Sequence, residues 1–240
     1  MMVKGCIFDY GGTIDTRGCH WGKKIWHAYE NAQVPVNETS FRDAYVYAER
    51  TLGKNPIIKS SFTFKQTLDA KLHLQMEYLD SHLLFSKPVK TEEMTHTLLH
   101  NLYQSVCETV KESRDVLTEL AKVYPLVLVS NFYGNIEVVL HEFDLAHLFG
   151  CVIESAVVGV RKPDPRIFTL GVEALGMEPA EVVVVGDSFT KDILAAQKAG
   201  CKTIWIKGEG WTDDSYDENV PDRVIKSLNE LIPGLLEFRS

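Results

Sequence analysis

The chain has 240 residues, enough for one large domain or for a core domain with a smaller second one. Its net charge of −8 argues against nonspecific binding to a nucleic-acid polymer, and no apolar run is long enough to span a membrane. The N-terminus enters a strand pattern without a signal peptide, and the five cysteines never form a Cys-x-x-Cys pair. We therefore expect a cytoplasmic protein with buried free thiols and no membrane association.

The first element is an apolar run near residues 3–9 that ends in Asp9. Gly11, Gly12 and Thr13 follow it closely. A buried strand that brings a carboxylate to the edge of a sheet is typical of this pattern, because glycines let the backbone approach a ligand closely. A carboxylate at the end of a core strand is costly unless it is paired or used.

Residues 18–105 have a different pattern, with 3.6-residue periodicity and no convincing strand run. We predict an α-helical cap domain there, inserted in an α/β core domain made of residues 1–17 and 106–240. Residues 17–90 carry 11 Lys and Arg against 7 Asp and Glu, which would suit an anionic substrate held between cap and core. Scattered solvated lysines would give the same balance.

The rest of the chain alternates between strand and helix patterns. Further strands are expected near residues 125–130, 151–157, 182–186 and 202–206, and helices near 135–143, 165–175, 190–199 and 222–231. Gly176 and Gly200 lie where helix C-caps are expected. This alternation predicts a Rossmann-like parallel sheet with helices on both faces.

Four segments with polar side chains follow or flank these strands. They are Asp9, the pair Ser130-Asn131, Lys162, and Asp187 with Asp192. Because the carboxyl ends of parallel strands share one edge of a sheet, we expect Asp9, Ser130 and Asp187 to lie close together although they are distant in sequence.

The residue types in these segments suit phosphoryl transfer. Asp9 can act as a nucleophile and form an aspartyl-phosphate. Asp9 and Asp187 would repel each other and a phosphate unless a hard cation neutralised them, and ligands that are all oxygen indicate Mg²⁺. Asp192 lies near a predicted helix start, where it can accept backbone N–H groups and orient the metal ligands.

Other groups in the same segments are expected to bind the phosphate. The Lys162 ammonium and the Ser130 hydroxyl can hold phosphoryl oxygens, as can backbone N–H groups near Gly12 and Asn131. We therefore expect a small anionic, phosphorylated substrate as the partner; the sequence predicts no particular oligomeric state.

Together the four segments resemble the motifs of the haloacid dehalogenase-like superfamily, a family of phosphohydrolases, over roughly residues 1–16 and 106–240. The resemblance implies a Mg²⁺-dependent hydrolase, most simply a phosphatase, with Asp9 as nucleophile and Lys162, Asp187 and Asp192 in the site. It also implies that the backbone carbonyl of residue 11 contacts the metal ion.

Gly11 departs from the family pattern Asp-x-Asp-Gly-Thr. The second Asp of that pattern protonates the leaving group and later activates water, and a glycine can do neither. Gly11 keeps its carbonyl, so metal binding is expected to survive. Asp15 or His20, or a substrate whose leaving group needs little protonation, would compensate for the missing acid.

Three alternatives to an ordinary phosphatase remain at this point. Superfamily dehalogenases and phosphonatases lack the same acid, but dehalogenases also lack the acid that Asp187 supplies here. A phosphonatase needs a cap lysine for a Schiff base. The candidates are Lys54, Lys59, Lys65 and Lys71. A binding or regulatory protein on a disabled enzyme scaffold is the third alternative.

Aromatic residues after the first segment have two interpretations. Trp21 and Trp26 are most simply core residues of the cap, whereas Trp21, His20 and Arg17 could instead face the substrate because they follow the first segment closely.

Overall fold

The structure, a computed structural model, describes residues 2–236. Within them lies one six-stranded parallel sheet. Its strands are β1 (Gly5–Phe8), β2 (Leu126–Ser130), β3 (Cys151–Glu154), β4 (Val182–Gly186), β5 (Lys202–Ile206) and β6 (Arg223–Ile225). They are ordered β3-β2-β1-β4-β5-β6 across the sheet. The predicted α/β class is confirmed.

The central position of β1 places the polar segments next to one another. β1 pairs in parallel with β2 on one side and with β4 on the other. All three strands are buried along their whole length, as expected for a sheet covered on both faces. Their carboxyl ends therefore meet, and Asp9, Ser130 and Asp187 lie side by side.

Most of the helices within residues 2–236 fall into two groups. Four lie between β1 and β2: α1 (Trp21–Asn31), α2 (Glu38–Lys54), α3 (Phe64–Ser81) and α4 (Thr91–Ala121). The later ones are α5 (Ile136–Glu142), α6 (Ser155–Val158), α7 (Arg166–Leu175), α8 (Leu194–Lys198) and α9 (Leu231–Leu236). Gly176 caps α7 with a φ of 64°, and Gly200, with a φ of 86°, follows the C-cap of α8.

The four inserted helices share one hydrophobic cluster with a face of the sheet. Ile25, Phe41, Leu72 and Leu98 are fully buried in it together with Phe8. The helix α4 is continuous across the predicted cap boundary at residues 105 and 106. The division into core and cap stays a prediction, and Met1 and residues 237–240 lie outside the described residues.

Two residues of the later half fix the N-terminus of α3. The Asn135 side-chain amide donates to the Phe62 carbonyl and the Thr67 hydroxyl, each at 2.8 Å. The Phe64 N–H donates to the Glu142 carboxylate. These bonds hold α3 against the carboxyl edge of the sheet.

Two predicted elements were wrong in part. The segment 222–231 was expected to be helical, but Arg223–Ile225 forms the edge strand β6 and only residues 228–236 are helical. Pairing with β5 along Ile204–Ile206 outweighs the helical spacing of the apolar residues. The third strand was expected to reach residue 157, but it ends at Glu154 and a helical turn, α6, follows.

The five cysteines are free thiols, as predicted from their spacing. Cys6 and Cys201 are buried and the other three are half-buried, so the expectation of burial holds fully for two of them. None of the helices among residues 2–236 has the length and apolar character needed to cross a membrane.

Candidate active site

Asp9 and Lys162 form a buried ion pair at the end of β1. The Lys162 ammonium donates to Asp9 Oδ1 and, at 2.7 Å, to Asp192 Oδ1. All three residues are at most 4% exposed. Burial raises the pKa of Asp9 to about 6, despite the charge of Lys162. Burial would lower the pKa of Lys162, but the charges of Asp192 and Asp9 outweigh it and raise that pKa above its usual value.

Asp187 lies beside Asp9, and Thr13 bridges the two. The Thr13 hydroxyl lies 3.1 Å from Asp9 Oδ2 and 3.4 Å from Asp187 Oδ1, within donating distance of both. Burial, followed by the charges of Asp9 and Asp192, raises the pKa of Asp187 well above its usual value. Gly12 is required here, because its φ is +103° and a Cβ would lie 2.3 Å from the Asp187 carboxyl carbon.

Asn131 and Asp192 hold the surrounding backbone. The Asn131 side chain accepts the Lys162 N–H and donates to the Lys162 carbonyl, each at 3.0 Å, so it positions the lysine from both sides. Asp192 Oδ2 accepts the Ser188 N–H at 3.0 Å, at the start of the π-helical turn Phe189–Ile193. Asp192 thus connects the loop after β4 to Lys162.

Three carboxylates at this edge form a group that can hold a metal ion. Asp9, Asp187 and Asp192 each offer an oxygen, and these oxygens lie within 4.8 Å of one another. Oxygen donors of this kind suit a hard cation such as Mg²⁺. A cation would stabilise the charged forms of Asp9 and Asp187, whose pKa values burial raises.

The carboxylates open into a cavity of about 200 Å³ between the sheet edge and the inserted helices. Predicted site residues that line it are Asp9, Gly11, Ser130, Asn131, Lys162, Asp187 and Asp192. The predicted phosphate donor Gly12 is engaged elsewhere, because its N–H donates to Asp15 Oδ1 at 2.7 Å.

The indole of Trp21 lies next to the site of the missing acid. A Cβ on Gly11 would lie 3.9 Å from Cδ1 and from Nε1 of Trp21. The same Nε1–H donates to Asp15 Oδ2 at 3.0 Å. Trp21 and His20 line the cavity, whereas Arg17 pairs with exposed Glu112 at 2.6 Å. Of the two interpretations of Trp21, the structure favours the one that faces the cavity.

The two proposed substitutes for the missing acid differ in access. Burial raises the pKa of Asp15 to about 7, but its carboxyl is fully buried and does not line the cavity. His20 lines the cavity, and its Nδ1 accepts the Gly22 N–H at 3.0 Å, which places the ring proton of the neutral form on Nε2. Burial lowers the pKa of His20 to about 4, so the ring is neutral at pH 7.

A second polar group was not found from the sequence. Lys71 of α3 lies 2.6 Å from Glu49 of α2, and the Tyr133 hydroxyl donates to the other oxygen of Glu49 at 3.0 Å. All three side chains line the cavity. Lys71 was only one of four candidate lysines, and no sequence signal marks Glu49 or Tyr133, because three separate elements bring them together.

Comparisons with known proteins identify the family of the chain. A family model described as haloacid dehalogenase-like hydrolase matches residues 3–200. The chain is 33% identical over 138 residues to a glyceraldehyde 3-phosphate phosphatase of Methanopyrus kandleri, covering 57% of each chain. It is 34% identical over 116 residues to a phosphoglycolate phosphatase of Escherichia coli, covering 48% of this chain and 46% of that protein.

A crystal structure of the HAD-hydrolase YfnB from Bacillus subtilis, bound to magnesium, has the same fold. It superposes with a TM-score of 0.60 at 17% identity, covering 98% of this chain and 99% of that one. The chain spans about half the length of the two curated relatives described above. On the match over residues 3–200, the chain belongs to the haloacid dehalogenase-like hydrolase family.

Proposed function

We propose that this protein is a Mg²⁺-dependent phosphatase that acts on a small phosphorylated metabolite through an aspartyl-phosphate on Asp9. The observation that carries the proposal is the convergence of Asp9, Lys162, Asp187 and Asp192 at one cavity. The relatives described above include two phosphatases of small metabolites, which supports the same reaction class.

The carboxylate group fits Mg²⁺. Asp9, Asp187 and the Gly11 carbonyl would hold the ion, which when bound offsets phosphate charge and polarises a phosphoryl oxygen. Asp192 would keep its bonds to Lys162 and to the Ser188 N–H, so it orients the lysine and the loop that carries Asp187.

In the first step an Asp9 oxygen attacks phosphorus and the bond from phosphorus to the leaving-group oxygen breaks. Lys162 and the Ser130 hydroxyl hold the other phosphoryl oxygens. The leaving oxygen needs a proton unless it is already a stable anion, and Gly11 supplies none. Because Asp15 does not reach the cavity and His20 is neutral, the first step favours leaving groups that need little protonation.

The alternatives to a phosphatase receive less support. A phosphonatase needs an unprotonated lysine, and Lys71 is the one of the four candidates that lines the cavity. Burial would lower the pKa of Lys71, but the charge of Glu49 outweighs it and raises that pKa well above its usual value, which keeps the amine protonated. The carboxylate of Asp187 beside Asp9 speaks against a dehalogenase, and the retained carboxylate group speaks against a purely regulatory role.

The test is a screen of phosphate release with Mg²⁺ over sugar 1-phosphates, acyl phosphates and nucleoside monophosphates. Asp9→Asn should abolish turnover and leave the fold intact, because the amide is nearly isosteric but cannot form the acyl phosphate. Asp164→Asn, which removes a carboxylate that does not line the cavity, is the matched control and should retain activity. Near-normal hydrolysis by Asp9→Asn would mean that water attacks directly, and no release from any substrate would reject the phosphatase.

A further inference from the structure

The end of the cavity away from the carboxylates is formed by inserted helices and one loop. Its polar members include Lys71, Glu49, Tyr133, Tyr45 and His20, and aromatic rings surround them. The Lys71 ammonium lies 5.9 Å from the Trp21 ring centroid and 5.5 Å from that of Tyr133. In the proposed phosphatase this end contacts the leaving group, because the phosphate lies at Asp9.

Lys71 is buried as a cation, with a side chain only 11% exposed. Its ammonium has three N–H donors, and Glu49, Tyr133 and Tyr45 are the neighbours that act on its charge most strongly. Lys71 and these three residues all line the cavity, so a ligand that brings an oxygen acceptor can bind at the ammonium.

Glu49 cancels the charge of that donor. One of its oxygens forms the ion pair with Lys71 and the other accepts from the Tyr133 hydroxyl. Burial would raise the pKa of Glu49, but the charge of Lys71 outweighs it and lowers that pKa below its usual value. The pair therefore presents hydrogen-bond donors without net charge. A carboxylate placed against Lys71 would also meet the negative charge of Glu49.

Two further cations line the cavity but belong to its phosphate end. Arg161 and Lys191 are adjacent in sequence to Lys162 and Asp192, and both are exposed. Solvent screens their charges, so they discriminate weakly among leaving groups. The cavity volume of about 200 Å³ is below the roughly 300–1,000 Å³ of sites for drug-sized ligands, which restricts the leaving group to a small one.

We propose that the Glu49–Lys71 pair makes this site selective for small, neutral, hydroxyl-rich leaving groups over leaving groups that carry a carboxylate. The inference rests on the proposed phosphatase function and narrows its substrate class to the phosphates of small sugars and polyols. Hydroxyl groups accept from Lys71 and donate to Glu49, and the rings of Trp21 and Tyr133 cover their apolar faces.

Glycerol 3-phosphate and 3-phosphoglycerate test this selectivity, because they differ only in a terminal hydroxymethyl or carboxylate group. Both leave as simple alkoxides, so the missing acid at Gly11 affects both rates equally and cancels in their ratio. The wild-type protein should have the higher kcat/KM for glycerol 3-phosphate. This comparison requires no variant, so it does not depend on how a variant folds.

Glu49→Gln is the decisive variant. The amide can still accept from Lys71 but leaves its charge unmatched, so the ratio of kcat/KM should shift toward 3-phosphoglycerate by ~10-fold or more, since tenfold corresponds to only about 1.4 kcal/mol. Adding Lys71→Met to Glu49→Gln removes the unmatched positive charge, so the ratio of kcat/KM should no longer shift toward 3-phosphoglycerate. Glu38→Gln is the matched control: it removes the same charge from α2, outside the cavity, and should leave the ratio unchanged.

A wild-type preference for 3-phosphoglycerate, or a Glu49→Gln protein with an unchanged ratio, would overturn the inference while leaving the phosphatase intact. Acetyl phosphate distinguishes failure of the inference from failure of the proposed phosphatase, because its leaving group needs no acid. Absence of phosphate release from all three compounds would overturn the inference, and absence of release from the whole screen described above would overturn the proposed function as well.

Discussion

Restoring the carboxylate at residue 11 is the sharpest test of how this site works. Gly11 does not adopt the left-handed backbone region that favours glycine. A Cβ there would make only ordinary van der Waals contacts, 3.9 Å from Trp21. The backbone and Cβ of Gly11→Asp therefore fit without strain. Loss of glycine freedom in the unfolded chain contributes about 0.4–1 kcal/mol to the free energy of unfolding, and repulsion between the new carboxylate and the charges of Asp9 and Asp187 opposes this gain.

The catalytic gain is limited by the surroundings of the new side chain. General acid–base catalysis contributes ~10²–10⁴-fold when the group has a tuned pKa. The new carboxyl would lie near Asp9 and Asp187, whose own pKa values are already raised, and the neighbouring Trp21 Nε1–H already donates to Asp15. We therefore expect Gly11→Asp to raise turnover of alkyl monoesters by ~10-fold or more, below the ceiling for general acid–base catalysis.

Steady-state kinetics on acetyl phosphate and glycerol 3-phosphate measure this gain. The rate on glycerol 3-phosphate should rise much more, because only its alkoxide needs a proton. Gly11→Asn is the matched control, since asparagine has the same shape but cannot transfer the proton, and it should leave the ratio of the two rates at the wild-type value.

A folded Gly11→Asp protein with an unchanged ratio would refute this reasoning, because it would mean that another group already supplies the proton. His20 would then be the residue to mutate, since it lines the cavity and Asp15 does not.

Four further outcomes are expected. Gly12→Ala should lower the free energy of unfolding by at least ~1–2 kcal/mol, because φ at Gly12 is +103° and the new Cβ would collide with Asp187. Gly11→Ala should be tolerated, and thermal melts of the two variants measure the contrast. Without metal, the free energy of unfolding should fall as pH rises from about 4 through 7. The native pKa values of Asp9 (about 6) and Asp15 (about 7) exceed their usual 3.8, so the native state binds more protons than the unfolded state in that pH range. Mg²⁺ should then raise Tm more at pH 7.5 than at pH 5, and Asp187→Asn should abolish the difference; equal shifts at both pH values would contradict a carboxylate metal site. Trp21→Phe removes a hydrogen bond that lowers the pKa of Asp15, so the native pKa of Asp15 should rise and the fall in the free energy of unfolding should extend to higher pH. An unchanged dependence of the free energy of unfolding on pH would mean that this hydrogen bond does not affect Asp15.

Much of the fold and part of the site could be predicted from the sequence. The strands β1, β2 and β4 are short continuous apolar runs, a pattern that a parallel sheet covered on both faces requires. Polar residues directly after such strands must meet at one edge, so the proximity of Asp9, Ser130 and Asp187 follows from local patterns alone. The edge strand β6 was missed because its three residues depend on pairing with β5.

Only the tertiary structure determined the part of the site that we propose contacts the leaving group. Glu49, Lys71 and Tyr133 come from α2, α3 and the loop after β2, and nothing local marks any of them. The sequence also left Asp15 and His20 equivalent as substitutes for the missing acid, whereas packing buries the first and exposes the second to the cavity. Strand patterns are local because each strand buries its own side chains, but a cavity wall depends on which distant residues pack together, and that information is spread over the whole chain.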